Sequence, residues 1–321
     1  TFDERNLLWK VTDALNNVTE YDYDDNGNLS RIKDAKGNIT GYDYDDFDRL
    51  NQTTYPDSTN ESYSYDKSSN MTGKVTRKSN TISYTYDALN RLTRKRTPEA
   101  AIDYVYDTGS RILSVTNPDG AISYTYDALN RVKTVSYPQG KSISYDYDPN
   151  GNRTKLTYPD STHITYEYDN LNRLTYIKDQ SAATIASYTY DALSRRTEKG
   201  LLNGTITSYL YDGINRLIDL TNKKDTTIIS QFSYSVYDKV GNRKTMTAPD
   251  GTHNYTYDNI YQLKTADYPA ASTFSDTTFN YDPAGNRSST VNGGTTNYTP
   301  NNLNQYTQVG ATSPAYDLNG N

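Results

Sequence analysis

The 321-residue sequence contains no cysteine, which excludes disulfides, thiolate metal sites and a thiol nucleophile. It also lacks long hydrophobic runs. No window approaches the roughly 18 apolar residues needed to span a membrane, and the chain opens at Thr1 without a signal-like apolar stretch. Basic excess is missing too: 33 Lys and Arg face 39 Asp and Glu, a net charge of −6. With no Lys/Arg blocks, nucleic acid is not expected as a partner. Apolar residues reach only 34%, against about 45 to 50% in globular chains, and mean hydropathy is −0.91. A deep aliphatic core is therefore ruled out. What the sequence has instead is tyrosine, 34 residues of it. Disordered segments avoid aromatics, so the chain is expected to be ordered. A tyrosine buries a large ring but needs a partner for its hydroxyl, which suits a thin layer with one end near water.

Periodicity organises these tyrosines. A phased Tyr-Asp pair recurs at Tyr23, Tyr44, Tyr65, Tyr86, Tyr106, Tyr126, Tyr147, Tyr168, Tyr190, Tyr211, Tyr237, Tyr257, Tyr281 and Tyr316, mostly about 21 residues apart. Degenerate copies align at Phe2 and at Pro300. Tyr84 and Tyr86, like Tyr124 and Tyr126, are two apart, which puts both rings on one face of a strand. The following Asp can accept a backbone N–H two residues on and so start a turn. Three residues after it stands Gly or Asn in most copies, including Gly27, Asn90, Asn130, Gly151, Asn172 and Asn215. Both types tolerate positive φ, as a short hairpin loop requires. An aliphatic residue such as Leu50, Leu92 or Leu217 then opens the return strand, and about ten residues later comes a second turn, as in Tyr55-Pro56-Asp57-Ser58 or Ala248-Pro249-Asp250-Gly251. Pro presets φ for such a turn. The pattern predicts an all-β fold: tandem β-hairpins forming a long antiparallel sheet of about 30 strands, which must curl because so many strands cannot stay flat. Surplus residues between Tyr211 and Tyr237, and between Tyr257 and Tyr281, are expected as rim loops.

The motif Tyr86-Asp87-Ala88-Leu89-Asn90-Arg91-Leu92, nearly repeated from Tyr126 to Val132 and from Tyr168 to Leu174, resembles the YD repeat of Rhs proteins, toxin-complex B and C subunits, bacterial wall-associated proteins and teneurins. The resemblance implies a strip that spirals into a hollow shell or β-solenoid-like wall, a secreted or cell-surface location, and a structural role encapsulating or presenting a toxin segment. The expected organisation is one array over residues 1–321, about 15 repeats cut from a longer protein. Its expected partners are the rest of that chain or copies of itself through edge strands, an enclosed toxin segment, and a glycan. The Asp-Pro-x-Gly-Leu-x-Gly segment that closes many Rhs shells does not occur, so self-cleavage is not carried over.

The residues expected to matter are the repeat motif itself: Tyr23, Asp24 and Gly27; Tyr44 and Asp45; Tyr86, Asp87, Asn90 and Arg91; Tyr126, Asp127, Asn130 and Arg131; Tyr147, Asp148 and Gly151; Tyr168, Asp169, Asn172 and Arg173; Tyr211, Asp212, Asn215 and Arg216. No catalytic constellation is present, neither a nucleophile elbow, a phosphate loop nor His-Glu-x-x-His, so the segment is not expected to be an enzyme. His163 and His253 follow the second turn at what aligns as one repeat position, where a strand residue that happens to be His is the simpler explanation. Asp22-x-Asp24-x-Asn26-Gly27 and Asp146-x-Asp148-x-Asn150-Gly151 imitate half of a calcium loop, but Lys33 and Thr157 stand where a bidentate Glu is needed. No metal or cofactor is expected, and melting curves followed by circular dichroism should superimpose with and without a chelator. A drop of ten degrees or more on chelation would show that the turn aspartates hold a cation.

Overall fold

A computed structural model describes residues 1–320. Among them are 29 β-strands and a single helical turn, the 3-10 segment Pro138–Gly140. Strands run antiparallel to their neighbours in sequence, most of them five or six residues long. The contacts divide the chain into two units. The first comprises Thr1–Ile102, Tyr255–Asp267 and 273–320; the second comprises Asp103–Asn254 and Tyr268–Ser272. In the first, a meander runs from the strand Lys10–Thr12 to the strand Leu92–Arg96, and another from Leu263–Asp267 to Tyr306–Val309. The second is a meander of hairpins with the same construction, running to the strand Arg243–Ala248 and its partner.

Thinness follows from composition. Among the described residues only Val135, Ala186, Tyr234 and Ala266 are buried hydrophobics, and no large side chain is fully buried. The Tyr-Asp hairpins from Tyr23 to Tyr237, and that of Tyr281, slip register by one residue just before the phased tyrosine. Asp22 lies opposite Arg31, for example, while Tyr23 lies opposite Leu29. The turn between has one geometry: Asp24 N–H donates to Asn28 O at 2.9 Å and Gly27 N–H donates to Asp24 O at 3.1 Å. This is a type I turn followed by a left-handed residue and a bulge, a common short hairpin loop.

The left-handed position is more uniform than the sequence suggested. Where Gly and Asn are absent, Asp48, Ser69, Ser110, Ser194 and Tyr261 still take φ of 57° to 67°. The register on either side fixes the loop, and the residue has to comply. Two other expectations need correction. The 26-residue step between Tyr211 and Tyr237 is not absorbed in a loop. It lengthens a hairpin into the strands Leu217–Lys224 and Thr227–Tyr237, because its added residues continue to pair. Only the second surplus, around 268–276, leaves the sheet. The two histidines do not share a position either. His163 follows a five-residue turn over 158–162, whereas Gly251 pairs directly with Ala248 and leaves a two-residue loop. His163 therefore stands five residues before its phased tyrosine and His253 four, which puts them on opposite faces. His253 is buried, its Nε2 2.8 Å from Asp250 and its ring edge-on to Tyr268.

A left-handed backbone costs an L-residue other than Gly or Asn about 1 to 2 kcal/mol, and Tyr261 is 57% exposed, so it gains little burial in return. Tyr261→Asn should stabilise the protein by about 1 kcal/mol in a denaturant titration. A destabilised variant would show that the ring, not the backbone, decides at this site.

Candidate functional site, a ladder of Tyr-Asp turns

The phased aspartates are engaged acceptors. One oxygen of Asp87 accepts the N–H groups of Leu89 and Arg91 at 2.9 and 3.0 Å, and the other accepts Arg91 Nε at 2.7 Å. Asp127, Asp169 and Asp212 do the same with Arg131, Arg173 and Arg216, whose Nε atoms lie 2.6 to 2.7 Å away. In Asp24 and Asp148 the side-chain donor four residues on is an asparagine, Asn28 or Asn152. Asp45 has Arg49 in that role. These bonds hold the carboxyls below the usual value of 3.8. In Asp87 and Asp169 the arginine side chain contributes most, followed by the arginine's own backbone N–H.

From this node the repeat is tied to the next one in three ways. The Arg131 guanidinium donates to Asp148 O at 2.8 Å, as Arg49 does to Asp66 O and Arg173 to Asp191 O. The same guanidiniums cover a tyrosine ring of the following repeat: Arg131 over Tyr147 at 4.5 Å, Arg173 over Tyr190 at 4.8 Å, Arg216 over Tyr237 at 4.6 Å. Each tyrosine hydroxyl reaches backwards, donating to the carbonyl that opens the previous return strand. Tyr23 bonds Leu8 O, Tyr44 bonds Leu29 O, Tyr86 bonds Met71 O, Tyr126 bonds Ile112 O, Tyr147 bonds Val132 O, Tyr168 bonds Arg153 O and Tyr211 bonds Arg196 O, all at 2.7 to 3.0 Å.

Sequence reasoning assigned the left-handed residue to backbone shape alone and missed its side chain. Asn70 and Asn152 donate to Asn90 Oδ1 and Asn172 Oδ1, and Asn28 donates to Asp48 Oδ1, each at 2.8 Å. Arg111 and Arg195 reach Asn130 and Asn215 at 2.6 and 2.9 Å. The signal was present as a pairing between neighbouring copies: a donor at the fifth turn position of one, an acceptor at the fourth of the next. Gly27 and Gly151 carry no side chain there, and their φ is about as expected for glycine, 89° and 90°.

The half-calcium loops are otherwise engaged. Asp22 pairs with Arg31, Asp24 caps its turn, and Asn26 donates to Asp48. Among the described residues no cluster of three or more His, Asp or Glu side chains has metal-holding geometry. Among the described residues the one phenol pushed far from its ordinary value is Tyr55, which burial and then the neighbouring Glu61 charge raise to about 12. That shift moves it away from neutral proton transfer.

Within the first unit the turns also make contacts distant in sequence. Lys36 Nζ lies 3.2 Å from Asp282, Asn302 Nδ2 donates to Pro56 O at 2.8 Å, Asn304 donates to Asp34 at 3.4 Å, and Lys78 pairs with Asp317. Leu303 sits in this seam with Ile32, Thr40, Tyr55 and Pro56. Tyr-Asp turns of the later strands thus rest on the opposite, second-type turns of the earlier ones.

Such a molecule is a tandem β-hairpin strip whose repeats are fastened at their turns. The Teneurin YD-shell family matches residues 62–235 and the RHS Repeat family matches 2–39 and 23–60. The chain belongs to the YD-shell family of Rhs-type repeat proteins. Its fold is similar to part of the Photorhabdus luminescens Tc holotoxin pore, over 99% of this chain at 18% identity and a TM-score of 0.82. It is also similar to TcdB2-TccC3-TEV, over 95% at 17% identity and 0.80, and to TcdB2-TccC3 without its hypervariable C-terminal region, over 96% at 18% and 0.81. In each case 20% of the other chain is matched, so this chain spans about a fifth of their length. No curated protein matches it.

Because the folded carboxyls titrate below 3.8, their contribution to stability is present above that pH and is lost as pH falls through the folded values. Melting temperature should fall as pH drops below about 4. A variant combining Asp87→Asn and Asp127→Asn should start lower and show a shallower acid limb. A wild-type melting temperature that is flat to pH 2 would mean that the ladder does not depend on charge.

Proposed function

We propose that this array is wall: a segment of a hollow YD-repeat shell in a secreted or cell-surface bacterial protein, which encapsulates or presents a toxin or effector segment of its own longer chain. The observation that carries the reading is the seam of the first unit, where one stretch of strip rests turn-on-turn on another, as a wall made by coiling a ribbon requires. Similarity to about a fifth of much longer toxin-complex chains supports it. No helix among the described residues is long and apolar enough to cross a membrane.

A cell-surface or glycan-binding adhesion module, or an extracellular filament subunit, is the alternative, and glycan binding would need tyrosine faces free to stack on sugar rings. In the ladder those faces carry guanidiniums at 4.5 to 4.9 Å, a contact worth about 0.5 to 1 kcal/mol even when exposed. That arrangement favours the wall. A structural role also fits the turn aspartates, which are occupied as acceptors and held ionised rather than poised near neutral.

In the full-length protein, a non-specific protease should leave the enclosed segment intact. Opening the seam with Lys36→Glu and Asn302→Ala together should make that segment digestible. Equal digestion in the unaltered protein would overturn the reading.

A further inference from the structure

The residue two places after each turn aspartate donates its N–H to that carboxylate, as Leu171 does to Asp169 and Leu193 to Asp191, both at 2.9 Å. This throws its side chain off the sheet. In the second unit the position holds Gly109 and Asn150 in two copies and Leu129, Leu171, Leu193, Ile214 and Val240 in the others, these five between 57% and 69% exposed, with the last four on successive turns. Successive turns of one rim stand two strands apart, about 10 Å, so these residues form a row of apolar knuckles rather than scattered exposures. Contiguous apolar surface of this kind marks interaction sites.

The first unit shows what such a knuckle fits. Leu303 occupies the same turn position, donating its N–H to Asn301; it is only partly exposed and lines one cleft with Tyr55 and Pro56, while the adjacent Asn302 donates to Pro56 O. Both halves of this arrangement recur in the second unit. Asn170 and Leu171 repeat the order of Asn302 and Leu303. Tyr137-Pro138 and Tyr158-Pro159 repeat Tyr55-Pro56 at second-type turns, and both tyrosines are 40% exposed. We propose that the Leu129 to Val240 rim docks on the Tyr-Pro turn rim of a second copy of this chain, continuing between molecules the seam that the first unit makes within one.

The two rims are different surfaces, so the contact is heterologous and repeats head to tail. It uses turns, not the open hydrogen-bonding edges of terminal strands. It also holds whatever the wall encloses, and so stands or falls separately from encapsulation.

Sedimentation velocity of the whole chain over a range of concentrations tests this. The unaltered chain should associate beyond dimers. Leu171→Asp with Leu193→Asp should weaken association at least tenfold, and so should Pro138→Glu with Pro159→Glu, a change the turn's first corner tolerates. Circular dichroism of each variant should match the parent. Mixing the two variants leaves one intact rim on each, so they should form one-to-one pairs that grow no further. A parent chain that stays monomeric, variants that associate as well as the parent, or mixed variants that fail to pair would each overturn the proposal.

Discussion

A sheet with almost no interior has to be held together repeat by repeat, and in this protein the turn aspartate is the point where the fastening is made. Hydrophobic burial supplies little cooperativity when only four apolar residues among those described are buried. What replaces it is a set of charge-assisted hydrogen bonds, which are shorter and stronger than neutral ones. One carboxylate fixes the turn through two backbone amides and fixes an arginine through Nε, as at Asp127. The guanidinium, held in that orientation, then reaches the next repeat with its remaining nitrogens and its flat face. An unanchored arginine would lose much of its gain to side-chain entropy. The aspartate removes that cost before the contact between repeats is made.

Fastening of this kind is local, which gives the strip the energetics of a chain of nearest neighbours. Each turn interacts with the one before and the one after. Variation is therefore tolerated at the donor: asparagine at Asn70 or Asn152 and arginine at Arg111 or Arg195 each reach an amide oxygen of the following copy, at Asn90, Asn172, Asn130 and Asn215. The tyrosine hydroxyls add a bond in the reverse direction, repeat to previous repeat, so neighbouring hairpins are joined from both sides.

The local layer of this structure was legible in the sequence. Period-two tyrosines, an aspartate and a left-handed residue define a hairpin with few alternatives. Legibility failed where one residue changes the outcome. Pro249-Asp250 and the 158–162 turn look alike as text, yet the first closes with Gly251 paired to Ala248, and the difference sends His253 inward. The long hairpin around Lys224 was misjudged for a related reason: whether surplus residues pair or loop depends on register on both sides. The seam lay furthest out of reach. Bringing Lys36 to Asp282 requires the twist of many successive strands to add up, and no local pattern encodes that sum.

One feature of the repeat makes no sense within the repeat. The amide two places after the aspartate is taken up by the carboxylate, while its side chain stands exposed, at Phe47 with the Arg49 guanidinium over the ring. A polar residue would serve that position better in water, and Asn26 and Asn150 show that the turn accepts one. Phe47, Leu89, Leu129, Leu171, Leu193 and Ile214 stand there instead, all exposed. Exposed aliphatics are ordinary when isolated, but a bias toward them at one repeat position requires a use outside the hairpin. Leu303 points to one: at that turn the apolar residue lies in the seam where one length of strip rests on another, so a single repeat position can serve both the hairpin and the contact between strips.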